Sequence, residues 1–203
     1  VAPAPLPVAE VTGDLAALGP IDLVVVDTAA ERATYHQLLA QHPLGDQPLC
    51  GAQLRYLFHG PQGYLGAAAC QSASFALKDR DQWLGWSEAT RRGNLARVVA
   101  NARFLILPGV RVPHLASHLL GQLARRLPTD WKARYGVRPL LLETFVHPDQ
   151  AGTCYSHLIR YPDIFIAQHI GFLEDGRTKS RVLLDAEETS MPSEGDFSGR
   201  FCS

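Results

Sequence analysis

Two apolar runs, Gln53–His59 and Tyr64–Cys70, are separated only by Gly60-Pro61-Gln62-Gly63. Glycine and proline supply the backbone conformations of a tight reversal, so the pair predicts an antiparallel hairpin. The continuous apolar Leu23-Val24-Val25-Val26 is typical of a strand buried on both faces, which calls for a sheet with helices packed on it. Three further runs have strand length: Ile21–Val26, Arg103–Leu107 and Pro139–Val146.

Helical signals fall between these runs. Thr28 or Asp27 caps a helix from about Ala30 to Gln41, with Glu31 in the first turn and His42-Pro43 at its end. A second helix starts near Ser87 and carries Leu95, Val98 and Val99 on one face, together with Arg91, Arg92 and Arg97. A third opens at Pro113 and keeps a stripe of Leu115, Leu119, Leu120, Leu123 and Leu127 until Pro128. A short last helix opens at Gly152-Thr153-Cys154-Tyr155. The order predicts an α/β fold, a mixed sheet flanked by helices, similar to that of the GNAT acyltransferases. Residues 1–20, rich in alanine and proline, read as an irregular leader, residues 21–172 as one GNAT-like α/β domain, and residues 173–203 as a polar, acidic, mobile tail.

Composition narrows the function classes. Hydrophobic residues make up 46% of the 203, a globular balance. The four cysteines, Cys50, Cys70, Cys154 and Cys202, contain no CxxC pair, which argues against a zinc ribbon or a disulfide framework and for a reducing compartment. No apolar run approaches the roughly 18 residues of a membrane span. A cytoplasmic protein with no membrane partner is expected. The net charge is −1, but Lys78–Arg138 holds twelve lysines and arginines against four acids. Such an asymmetry is either a face that meets a polyanion or a set of solvated helix faces.

Ordered motifs from Leu39 to Tyr155 carry a family resemblance. They are His42-Pro43-Leu44-Gly45, Gln53-Leu54-Arg55-Tyr56-Leu57 and Asp79-Arg80-Asp81-Gln82-Trp83-Leu84-Gly85-Trp86. Asn94-Leu95 through Val98-Val99, Asn101-Ala102-Arg103-Phe104-Leu105-Ile106-Leu107-Pro108 and Val112-Pro113-His114-Leu115-Ala116-Ser117 follow, then Glu143-Thr144-Phe145-Val146 and Gly152-Thr153-Cys154-Tyr155. The segment resembles the DruA family of the Druantia anti-phage system and its transposon-borne relatives. The resemblance implies a role in DNA transactions, with no assigned reaction; no cofactor is expected. Its partners would be DNA and other defence-system or transposase proteins. After Tyr155 the sequence departs from the family's pattern, with Ser156-His157-Leu158-Ile159-Arg160 in place of an Arg-Ala-Ala-Asn-Trp-like helix. An inactive, truncated element fragment is therefore one alternative.

The chemistry-bearing residues are few. Arg91, Arg92, Arg97, Arg103, Arg111, Arg125 and Arg126 are the candidate phosphate contacts, and Trp83 and Trp86 the candidate base-stacking platform. Glu143 interrupts an apolar strand, so it either faces a cleft as a general base or meets an arginine such as Arg103. An acyl-CoA-dependent transferase is the other alternative, because Arg111-Val112-Pro113-His114-Leu115-Ala116 sits where GNAT enzymes bind a pyrophosphate. Pro113 lacks an N–H there and His114 replaces a glycine, so acetyl-CoA is not expected to bind. His114 and His118 have helical metal-ligand spacing but no third ligand nearby, and no metal is expected. Cys154, near a helix start, has no identifiable catalytic partner and reads as a buried thiol.

Overall fold

The computed structural model describes residues 10–146, 160–161, 164–174 and 177–183. The chain forms two compact units, one from Val1–Gln71 and Asn101–Leu123, the other from Ser72–Ala100 and Ala124–Ser203. In chain order the elements begin with β1 (Val11–Thr12), α1 (Leu15–Leu18), β2 (Asp22–Val25), α2 (Ala29–Leu39), β3 (Gln53–Gly60) and β4 (Gly63–Ser72). They continue with α3 (Lys78–Trp83), α4 (Glu88–Asn94), a 3-10 turn (Leu95–Arg97), β5 (Val98–Ile106), β6 (Val110–Arg111) and α5 (Leu115–Tyr135). The last described strands are β7 (Leu141–Val146), β8 (Arg160–Tyr161), β9 (Ile164–Glu174) and β10 (Arg177–Leu183).

In the first unit the sheet runs β2-β3-β4-β5. Strand β2 is antiparallel to β3, and β3 to β4. The predicted hairpin forms, and Gly60 pairs with Gly63 so that only Pro61-Gln62 turns the chain. Tyr35, Leu38 and Leu39 of α2 are buried, as are Leu54, Tyr56, Leu57 and Phe58 of β3. Thr28 caps α2 in a full capping box: its hydroxyl accepts from Glu31 N, and Glu31 accepts from Thr28 N. At Gly66 a Cβ would stand 2.0 Å from the Leu105 carbonyl oxygen, so a glycine is required for β5 to approach.

In the second unit the order is β7-β9-β10, with β8 beside β9. Strands β7 and β9 are parallel, while β9 and β10 are antiparallel, which makes this part of the sheet mixed. Its core holds Leu84, Trp86, Val98 and Leu141, with Ala73, Trp83, Leu95 and Leu140 packed against them.

Several boundaries differ from expectation for identifiable reasons. Between residues 10 and 20 the chain is ordered rather than irregular: Asp14 accepts from Ala17 N at 2.9 Å to cap α1, and Gly19 closes it with φ 68°. The helix after Ser87 stops at Asn94, and the β-branched Val98 and Val99 go into β5 instead. Helix α5 passes straight through Pro128, because Leu127 and Trp131, on either side of it, are both buried. That burial outweighs the roughly 3 kcal/mol that an interior proline costs. Position 173, where the sequence turns polar, lies inside β9, and β10 follows. The helix expected at residues 152–155 lies outside the described residues.

Candidate nucleic-acid interface

The polar centre of the second unit is Arg80, on α3, with no solvent exposure. A buried guanidinium is tolerable only when its five donors and its charge are both answered. Here Nε and Nη2 donate to Asp81 Oδ1, each at 3.1 Å. Nη1 donates to the Ser74 carbonyl at 2.9 Å and to Glu143 Oε1 at 3.4 Å. Nη2 also reaches the Phe75 carbonyl at 3.4 Å, and the Trp86 ring lies 6.0 Å from the guanidinium carbon. The second oxygen of Asp81 accepts from Arg91 Nη1 at 2.7 Å. Two arginines and two carboxylates thus neutralise one another inside the unit.

This network fixes a surface feature. By holding the carbonyls of Ser74 and Phe75, Arg80 pins the segment between β4 and α3. Phe75 in that segment is 51% exposed. The guanidinium of Arg91 lies 5.0 Å from its ring centroid, and that of Arg92 5.3 Å. Arg91 is locked by Asp81, whereas Arg92 is 63% exposed and pairs along its own helix with Glu88, at 2.7 Å. An exposed pair of this kind is worth about 0–1 kcal/mol.

The structure scatters the other candidate residues. Glu143 is fully buried and meets Arg80 rather than Arg103. Arg103 instead donates Nε to the Gly45 carbonyl at 3.1 Å and Nη1 to that of Ala102 at 2.6 Å. Trp86 is buried and Trp83 half-buried against the same core. Arg97 leaves the helix for the 3-10 turn and is half-buried, and its carbonyl accepts from Leu140 N. Arg111, Arg125 and Arg126 are exposed, the last paired with Asp130 at 3.0 Å. His114 precedes α5 with φ 62° instead of sitting on the helix, and the ring of His118 contacts Gln122 at 3.1 Å. Among the described residues no three His, Cys, Asp or Glu side chains gather to hold a metal ion. No helix among them is long and apolar enough to cross a membrane. Cys154 lies outside the described residues.

Sequence reasoning missed Arg80 and Phe75. The signal for Arg80 was a charged triplet, Asp79-Arg80-Asp81, running directly into the apolar Trp83-Leu84-Gly85-Trp86 segment. Phe75, alone between Ser74 and Ala76, carries no periodic signal at all.

The family model described as Druantia protein DruA matches residues 7–180. The match continues well past Tyr155, which corrects the reading that the chain leaves the family's pattern there. No curated protein and no solved structure matches the chain. With more than four fifths of its length inside the match, the chain belongs to the DruA family.

Proposed function

We propose that this protein is the DNA-contacting component of an anti-phage defence system, working with other proteins of that system or of a transposable element. Family membership supports the defence setting. The observation that carries the DNA reading is the division of labour among the arginines. Arg80 and Arg91 are consumed inside the second unit, while Arg92, Arg125 and Arg126 of the same unit remain at the surface. Their phosphate contacts need no rearrangement of the core. In this reading Glu143 positions the Arg80 segment and performs no chemistry, in keeping with its complete burial.

The finer architectural reading is a GNAT-like sheet, supported by antiparallel β2-β3-β4 together with parallel β7 and β9. The acyl-CoA-dependent alternative has less support. Ahead of α5 stand Pro113, without an N–H, and His114, whose side chain occupies a left-handed backbone position.

Anisotropy titrations of labelled DNA across salt concentrations test the proposal. Binding through about four phosphates gives a log–log salt slope near −4 on duplex or roughly −3 on single strands. A variant combining Arg92→Ala, Arg125→Ala and Arg126→Ala should lose affinity and reduce the duplex slope by about 3. Equal affinity and slope for the two proteins, or no binding by the wild type at low salt, would refute it.

A further inference from the structure

We infer that Phe75, flanked by Arg91 and Arg92, is a stacking site for an unpaired DNA base, so that the protein takes single strands in preference to duplex. The inference rests on the DNA reading above and deepens it. Phe75 is a large apolar side chain left 51% exposed between two arginines, and covering its exposed part would be favourable. Phe75 is also held still. Its own carbonyl and that of Ser74 are bound by the fully buried Arg80, so the ring is presented on a segment with little freedom. Pre-ordering of this kind lowers the entropic cost of ligand capture.

The charges around the ring differ in mobility. Arg91 is anchored by Asp81 at 2.7 Å and fixes a positive charge 5.0 Å from the ring centroid. Arg92 lies 5.3 Å from the same centroid on an exposed side chain. When a base stacks on Phe75, Arg92 exchanges its cation–π contact and its Glu88 pair for the phosphate of that nucleotide. Aromatic face plus adjacent cation is the pairing that proteins use for single strands, because every base has a π face and every nucleotide a charge. Duplex DNA offers the phosphate but keeps its bases stacked on each other, so it uses only half of the site. The buried Trp86 and half-buried Trp83 leave that role to Phe75.

The test uses the full chain and four labelled probes of equal length: oligo(dT), an abasic deoxyribose-phosphate strand, a duplex, and oligo(U). Phe75→Ala should weaken oligo(dT) binding by between about 5- and 100-fold, from the loss of one stacked base. The same variant should leave the abasic strand and the duplex unaffected and the salt slope unchanged. Phe75→Trp should restore affinity, and oligo(dT) should quench its fluorescence beyond any quenching of the three native tryptophans. If Phe75→Ala binds oligo(dT) like wild type while the salt slope stays steep, the stacking site falls and the DNA reading survives. If no probe binds the wild type, both fall. Tighter binding of oligo(U) than of oligo(dT) would overturn DNA as the partner. Equal thermal midpoints of wild type and Phe75→Ala would establish that the losses arise at the site.

Discussion

Arg80 Nη1 stands 3.4 Å from Glu143 Oε1, and neither side chain has any exposure to solvent. The pair joins α3 to β7 within one unit, sixty-three residues apart in sequence. Burial makes the attraction strong, and it makes either charge expensive if left alone.

Arg80→Ala and Glu143→Ala should therefore each destabilise the fold by about 3–5 kcal/mol, read from urea denaturation midpoints. The double variant should cost less than the two single losses together, because it leaves no orphaned charge between them. Arg80→Lys should not rescue: one ammonium cannot reach Asp81, Glu143 and the carbonyls of Ser74 and Phe75 at once. Single variants costing under about 1 kcal/mol would show that the network contributes no cohesion.

Glycines at two positions should respond in opposite directions. Gly66→Ala drives a Cβ to 2.0 Å from the Leu105 carbonyl oxygen, a backbone atom that cannot swing aside. Destabilisation at or beyond the upper end of about 1–3 kcal/mol is expected, the range of overpacked cores. Gly93, in α4, has nothing within 4 Å of its added Cβ. Gly93→Ala should stabilise by about 0.4–1 kcal/mol by restricting the unfolded chain. Thermal melts of the two variants check both signs together.

The parts of the fold carried by local periodicity were legible. Hairpin β3–β4 announced itself through Gly60-Pro61-Gln62-Gly63, and α2 through Thr28 and Glu31. What failed depended on tertiary context. Val98 and Val99 fit a helical stripe by spacing, yet their branched side chains join a strand. Pro128 reads as a stop, yet burial on both sides carries α5 across it. At the candidate site, Glu143 was legible as a polar break in an apolar strand, but its partner was not. The charged triplet around Arg80 marks it locally, but nothing local assigns Arg80 rather than Arg103 to Glu143; only folding puts one beside Glu143 and the other against Gly45.

Tyr35 should make the fold sensitive to strong alkali. Burial pushes its phenol up to about 12, partly opposed by Arg55 and Arg103 and reinforced by Asp46 and Cys70. The folded state then keeps a proton that the unfolded state gives up from pH 10. Stability from this group is complete below pH 10 and declines as pH rises toward 12, by roughly 2–3 kcal/mol. Tyr35→Phe should remove that decline. The measurement is the difference in urea midpoint between the two proteins at pH 8 and pH 11.5, and a constant difference would count against it.

His42 should act at the opposite end of the scale. Burial holds its imidazole below 6.5, and the nearby Arg103 guanidinium pushes the same way. Geometry agrees: the Leu44 N–H donates to His42 Nδ1 at 3.0 Å, so that nitrogen must keep its lone pair. Protonating it would break this bond and set a cation beside Arg103, whose Nε holds the Gly45 carbonyl in the same loop. With the folded-state value below the unfolded one, the unfolded chain binds the extra proton more readily. Stability from His42 is therefore present above pH 6.5 and lost as pH falls through the lower, folded value. His42→Gln retains an acceptor for Leu44 N and cannot titrate, so its stability should fall less than the wild type's between pH 7 and 5. NMR titration of the imidazole should give a midpoint below 6.5 in the native protein. A midpoint at or above that value, or a wild-type stability loss that Gln does not reduce, would mean that the loop tolerates the charged ring and that Arg103 is not near enough to matter.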